Sequence, residues 1–306
     1  MRRYARALVG FLTGLAVGVV WAEDVDRSAK VNRAEFAGAT FVAEEPQSES
    51  VVPEDLVPSD DPPVAPSPPK KPPANPYKGV YYDNDFGYLD NPDNEFHYFG
   101  DFAKRRHIGD WGVLDVGGEF RLRQHNEDIL LRSDNFLLQR TRVYGDLHVG
   151  SGFRVYAEAQ DAVSYWGDLA PRAIEENRFD AQNLFGDLRV WDGEPGDLWF
   201  RGGRQELIYG AQRLISPLEW ANTRRTFDGA KLFWKGEDWN ADFFWTRPIP
   251  FAQHLDSTVA FYHPDPLQEF YGLWMTRKGL EHHKIDLFYL RLGNYNPATP
   301  GGPILL

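Results

Sequence analysis

Between Gly203 and Ala230 the chain reads GRQELIYGAQRLISPLEWANTRRTFDGA, with four arginines (Arg204, Arg213, Arg224 and Arg225) among tyrosine, tryptophan and phenylalanine. Others stand two residues apart upstream, at Arg121 and Arg123 and at Arg140 and Arg142, followed by Arg154, Arg189 and Arg201. A guanidinium is planar, permanently charged and grips a carboxylate or phosphate through two parallel hydrogen bonds. Such a set could bind nucleic acid, salt-bridge a soluble surface, or line something that an anion passes through. Carboxylates are interleaved with the arginines at Glu119, Glu158, Asp187 and Glu206, where they would hold the guanidinium groups in place and temper the field.

The elements that must carry these residues read as strands. In WGVLDVGGEFRLRQ, Leu114, Val116, Phe120 and Leu122 alternate with Asp115, Glu119, Arg121 and Arg123, a clean period of two. FLLQRTRVYGDLHVG sets Arg140, Arg142, Tyr144 and Asp146 opposite Val143 and Leu147. FRVYAEAQ sets Arg154, Tyr156 and Glu158 opposite Phe153, Val155 and Ala157. NLFGDLRVW and DGAKLFWK continue the rule, placing Asp187 with Arg189, and Lys231 with Lys235, on polar faces. In LWFRGGRQE, Arg201 and Arg204 have opposite parity, so a bulge at Gly202-Gly203 is expected to re-aim one of them. Nine such runs are legible from Trp111 onward, separated by Gly, Asn, Asp and Pro.

A soluble sandwich also alternates, but its polar face holds short or mixed residues. Here that face is dense in Arg, Asp, Glu and Tyr, and Trp and Tyr gather near run ends, as in an interfacial girdle. Strands of about 9–11 residues cross a bilayer when tilted. In lipid such strands survive only in a closed barrel, where every backbone group is paired. The fold class expected is all-β, a transmembrane antiparallel β-barrel, of which these runs form a part.

The flanks agree with export. Arg2, Arg3 and Arg6 precede the apolar stretch 7–22, which ends in Val20-Trp21-Ala22, the form of a secretory signal cleaved before Glu23. Residues 23–76 read as a disordered proline-rich arm and 77–110 as a turn-rich aromatic lip or plug. The barrel is expected over 111–295 and a tail over 296–306. There is no cysteine, so neither disulfides nor thiolate metal sites hold the fold. The net charge of −12, with its acidity concentrated ahead of the strands, disfavours nucleic acid as a partner.

The ordered strings DNFLLQRTRVYGDL, FRVYAEAQDAVSYW, NLFGDLRVW, WFRGGRQELIYGAQRL, EWANTRRTFDGAKLFW and IDLFYLRL resemble the alginate-export porin family over about residues 110–295. The resemblance implies a bacterial outer-membrane barrel that passes an anionic polysaccharide or other anionic solute, with outer-membrane lipid around it and no cofactor. Family barrels have more strands than the nine legible here. The reading therefore implies either further C-terminal strands or self-assembly. The polar faces then become a pore lining of Arg121, Arg123, Arg140, Arg142, Arg154, Arg189, Arg201, Arg204, Arg213 and Lys231. Tyr144 and Tyr156 would stack on sugar faces.

An enzyme is not expected. No GxSxG elbow, GxxxxGK[ST] loop or HExxH pair is present, and His282-His283 lack a third metal ligand at useful spacing. The other open reading is a structural or adhesive barrel that only anchors the proline-rich arm.

Overall fold

The computed structural model describes residues 75–129, 132–250, 262–279 and 283–295. The signal sequence, nearly all of the arm, the C-terminal tail and His282 lie outside the described residues. None of the described helices is long and apolar enough to cross a membrane.

Period-two patterning becomes a single antiparallel sheet of ten strands in sequence order. They are β1 (Arg106–Ile108), β2 (Gly112–Ile129), β3 (Arg132–Val149), β4 (Phe153–Tyr165), β5 (Asn177–Gly193), β6 (Gly196–Gln205), β7 (Phe227–Gly236), β8 (Trp239–Pro248), β9 (Gln268–Arg277) and β10 (Ile285–Asn294). The nine long strands match the nine runs read from sequence. The three-residue β1, paired with Gly112–Leu114, is additional and too short to show a period. Because every neighbour is antiparallel, β2 and β10 run in the same direction. Among the described residues, the edge of β10 and that of β2 beyond Leu114 pair with no further strand.

Connections differ sharply between the two ends of the sheet. At one end are tight turns, at 109–111, 150–152, 194–195 and 237–238. At the other are the long connections 166–176, 206–226 and 249–267, beside the two-residue link 130–131.

Burial is inverted relative to a soluble protein. Val143 is 56% exposed, and Phe120, Leu122, Leu184, Leu188 and Phe243 are also exposed, all on one face. Arg140 and Arg142, on the other, are 0% and 1% exposed. In water this would leave a wide apolar surface wet and bury charge, a costly arrangement on both sides. In a bilayer the apolar face meets lipid chains and the charged face turns inward. That is the all-β, partial-barrel architecture expected from the sequence.

The bulge expected at Gly202-Gly203 is not there. β6 pairs with β5 and with β7 without a register shift through both glycines. The irregularities fall instead between β4 and β5, at Glu158/Ala159 and Gln160/Ala162, and between β5 and β6, at Arg189/Trp191. Gly203 accommodates its position through φ +130°. A Cβ there would lie 2.3 Å from the Leu184 carbonyl oxygen. Gly203→Ala should therefore lower stability by about 1–3 kcal/mol, the range for an enforced strained backbone. The check is a lowered denaturant midpoint of the detergent-extracted protein.

Candidate functional site

The inner face is covered by two insertions from opposite ends. Residues 75–105 rise from the tight-turn end as three single-turn 3-10 helices, at Tyr81–Asp83, Gly87–Asp90 and Asp101–Ala103. The connection 206–226 folds in from the long-loop end. Proline, glycine and asparagine in both stretches prevent a continuous ladder, so side chains fix them to the wall.

The two insertions meet each other. Tyr82 Oη donates to the Glu206 carbonyl at 2.6 Å, and Arg224 Nη2 donates to the Gly79 carbonyl at 3.1 Å. Glu206 is fully buried at this junction. Its carboxylate takes Arg224 Nε at 2.5 Å and Gln182 Nε2 at 2.9 Å, with Arg142 Nη2 at 3.9 Å. Burial pushes this carboxyl up, but the Arg224 and Arg142 guanidinium groups outweigh it and hold it below the usual carboxylate range.

A chain of alternating charge extends from the junction along the wall. Arg142 Nε donates to Glu158 at 2.5 Å, and Glu158 also accepts from Tyr156 Oη and Asn183 Nδ2, each at 2.9 Å. Arg140 Nε donates to Glu119 at 2.7 Å and its Nη2 to Glu219 at 2.6 Å. Glu219 also pairs with Arg224 and with Arg121. Arg201 binds Asp187 bidentately at 2.6 and 2.8 Å, and Arg154 binds Asp146 at 2.7 Å while lying 3.6 Å from Asp187. Arg140, Arg142, Arg154, Arg201 and Arg224 are thus each paired with a carboxylate, which offsets the cost of burying them in low dielectric.

The remaining candidates sit as follows. Arg123 donates to the Trp220 carbonyl, Lys231 to Asp242 at 3.2 Å, and Arg189 to Ser151 Oγ beside Asp192. Arg204 does not join the Arg201 group. It shares the parity of its ladder partners Leu184 and Asp228 and forks onto Asp228 at 2.8 and 3.1 Å, with Asp180 and the Tyr262 carbonyl beyond. Arg213 is exposed on the 206–226 connection rather than on the wall. Tyr144 and Tyr156 face inward, but their rings are already in contact with Tyr81, Tyr82 and Phe185 at 5.2–5.8 Å. In this arrangement their faces are closed to a sugar.

Four participants were not singled out as site residues from sequence: Glu219, Arg224, Tyr81 and Tyr82. All four lie in connections, where period-two parity gives no direction. For Arg224 the arginine density of the 203–230 stretch is the signal the sequence carries.

Between the inner segment and β7–β8 a cleft of about 440 Å³ remains open, walled by Arg154, Arg201, Lys231 and Lys235 against Asp83 and Asp242. Asp115, Asp146 and His148 bring one potential metal-ligand atom each within 4.8 Å of one another. Both carboxylates are already engaged, Asp146 by Arg154 and Asp115 by the Arg105 amide.

The sheet thus presents lipid-compatible residues on one face and paired arginines on the other. The alginate export family model matches residues 113–297, more than half of the sequence and the whole run of long strands. The chain belongs to the alginate export family. Alginate export proteins are outer-membrane β-barrel porins for polysaccharide, and the outer membrane is the location of this chain. No curated protein and no solved structure matches it.

Proposed function

We propose that the charged inner face lines a path along which an anionic polysaccharide or comparable anionic solute crosses the outer membrane. The observation that carries this reading is the inverted burial: guanidinium groups at 0–3% exposure face inward on Arg140, Arg142 and Arg201, while an apolar face is exposed. A polyuronate presents a carboxylate on each sugar, and attraction spread over many sites admits it without trapping it. The tight turns belong on the periplasmic side and the long connections outside, as in other outer-membrane barrels. The reaction is passage, with the wall's acids serving as counter-charges rather than as catalysts.

Closure follows from strand direction. Because β2 and β10 run the same way, two copies joined through those edges would meet in parallel. Antiparallel closure takes an odd number of strands beyond the nine long ones.

A second reading has one observation in its favour. Arg140, Arg142, Arg201 and Arg224 are all paired with carboxylates, as they would be in a barrel that is merely filled and serves as an anchor. The two readings separate at the cations that keep some exposure. Lys235 is exposed in the cleft, and Arg121 and Arg123 are only partly buried. Arg121→Gln, Arg123→Gln and Lys235→Gln together should lower the anion-over-cation permeability ratio severalfold in a reconstituted bilayer and leave insertion intact. An unchanged ratio favours the anchor.

A further inference from the structure

We propose that residues 79–103 are a pseudosubstrate strap, an acidic and tyrosine-bearing stretch of the chain itself that occupies the polyanion path and is displaced by the polyanion. This rests on the passage reading above and adds how the path is closed and opened.

The strap offers the wall the groups that a polyuronate offers. Its hydroxyls act as donors: Tyr81 Oη to Glu119 at 2.7 Å and Tyr82 Oη to the Glu206 carbonyl at 2.6 Å. Its carbonyls act as acceptors, with Gly79 receiving Arg224 and Tyr82 receiving Arg154. Its flat faces lie under cations, Tyr81 at 4.0 Å from the Arg142 guanidinium and Tyr82 at 4.6 Å from that of Arg201. Its carboxylate Asp83 lines the cleft with Arg154, Arg201 and Lys235. A sugar chain bearing hydroxyls, flat rings and carboxylates would need the same four arginines, so the two occupants exclude each other.

The strap's attachment suits displacement. It joins the sheet's ladder only through β1, and elsewhere it is held by side chains and by its own single-turn helices. Gly79 begins it, and Gly100, at φ +95°, lies near its end. Lys104 follows, its ammonium resting in the space that Gly117 leaves beside Tyr144. Val80 and Tyr82 are buried against Tyr144, Tyr156 and Phe185. When the strap leaves, those three rings become the open aromatic faces on which a sugar can stack.

The test exploits the sign. Tyr81→Phe with Tyr82→Phe keeps both rings but removes two hydrogen bonds that hold the strap. If strap and polyanion compete, the variant binds an alginate oligomer more tightly than wild type, on the order of fivefold. Binding that is unchanged or weaker overturns the strap, because it means the hydroxyls are neutral or contact the ligand directly. A second arm uses the absence of native cysteine. Val80→Cys, at a position 1% exposed, should react faster with a charged maleimide when the alginate oligomer is added, and not when neutral dextran is added. Phe99→Cys, at a position 98% exposed, is the always-reactive control. An alginate-independent rate at Val80→Cys, in protein that binds the oligomer, also overturns the strap. Failure of wild type and variant alike to bind overturns the passage reading, and the strap with it.

Discussion

Arg142→Gln should destabilise the folded protein by about 3–5 kcal/mol, the cost of breaking a buried ion pair from one side. Arg142 is 1% exposed and lies between two carboxylates, Glu158 at 2.5 Å and Glu206 at 3.9 Å, neither of which reaches water. Removing the guanidinium leaves Glu158 with only the Tyr156 hydroxyl and the Asn183 amide. Two neutral donors do not replace a charge. Removing both charges, as Arg142→Met with Glu158→Gln, should recover most of the loss, since a buried pair exchanged for neutral groups of similar volume is often close to neutral. The measurement is the urea midpoint of each variant in detergent. A single variant as stable as wild type would mean that water reaches this part of the wall.

The opposite face gives the second large effect. Val143→Arg should cost about 2–4 kcal/mol if that position lies near mid-bilayer depth. Val143 is 56% exposed and sits opposite Gly118 and Ala159 in the ladder, so the new side chain has room. On a soluble protein so exposed a position accepts arginine within about 0.5 kcal/mol. The size of the effect therefore distinguishes lipid from water. Folding into lipid vesicles, followed by denaturant titration, measures it.

These two sites also show what could be read from the sequence. Arg142 and Val143 are adjacent, and alternation alone assigned them to opposite faces, as the ladder from β2 to β4 bears out. Strands are legible because side-chain direction repeats every two residues and lipid keeps one face apolar over a long span. Arg204 marks where that rule ran short. Parity breaks at Gly202-Gly203, and the sequence points to an inserted residue there. The chain instead keeps register, with Gly203 at φ +130° and a separate partner in Asp228 for Arg204. Glycine admits both solutions, and the sequence does not choose between them. The connections were least legible. Tyr81, Tyr82, Glu219 and Arg224 acquire their roles from long-range contacts, as when Arg224 reaches Gly79, and no local period encodes such a meeting.

Lys104 joins the inner segment to the strands. It closes the inner segment, donates to the Val116 carbonyl at 2.6 Å and to Tyr144 Oη at 2.8 Å, and lies 4.7 Å from the Phe86 ring centroid. Burial lowers its ammonium pKa, although Asp115 and Asp101 nearby oppose the shift. One lysine thereby ties the segment ahead of the barrel to the arginine-bearing strands.

Ion selectivity tests most directly whether the charged inner face is an anion path. The protein extracted from outer membranes would be placed in a planar bilayer with a potassium chloride gradient, and the zero-current potential read. An anion path gives a potential of the sign set by chloride, moving toward zero when an alginate oligomer is added to either side. A potential set by potassium, unmoved by the oligomer, would contradict it.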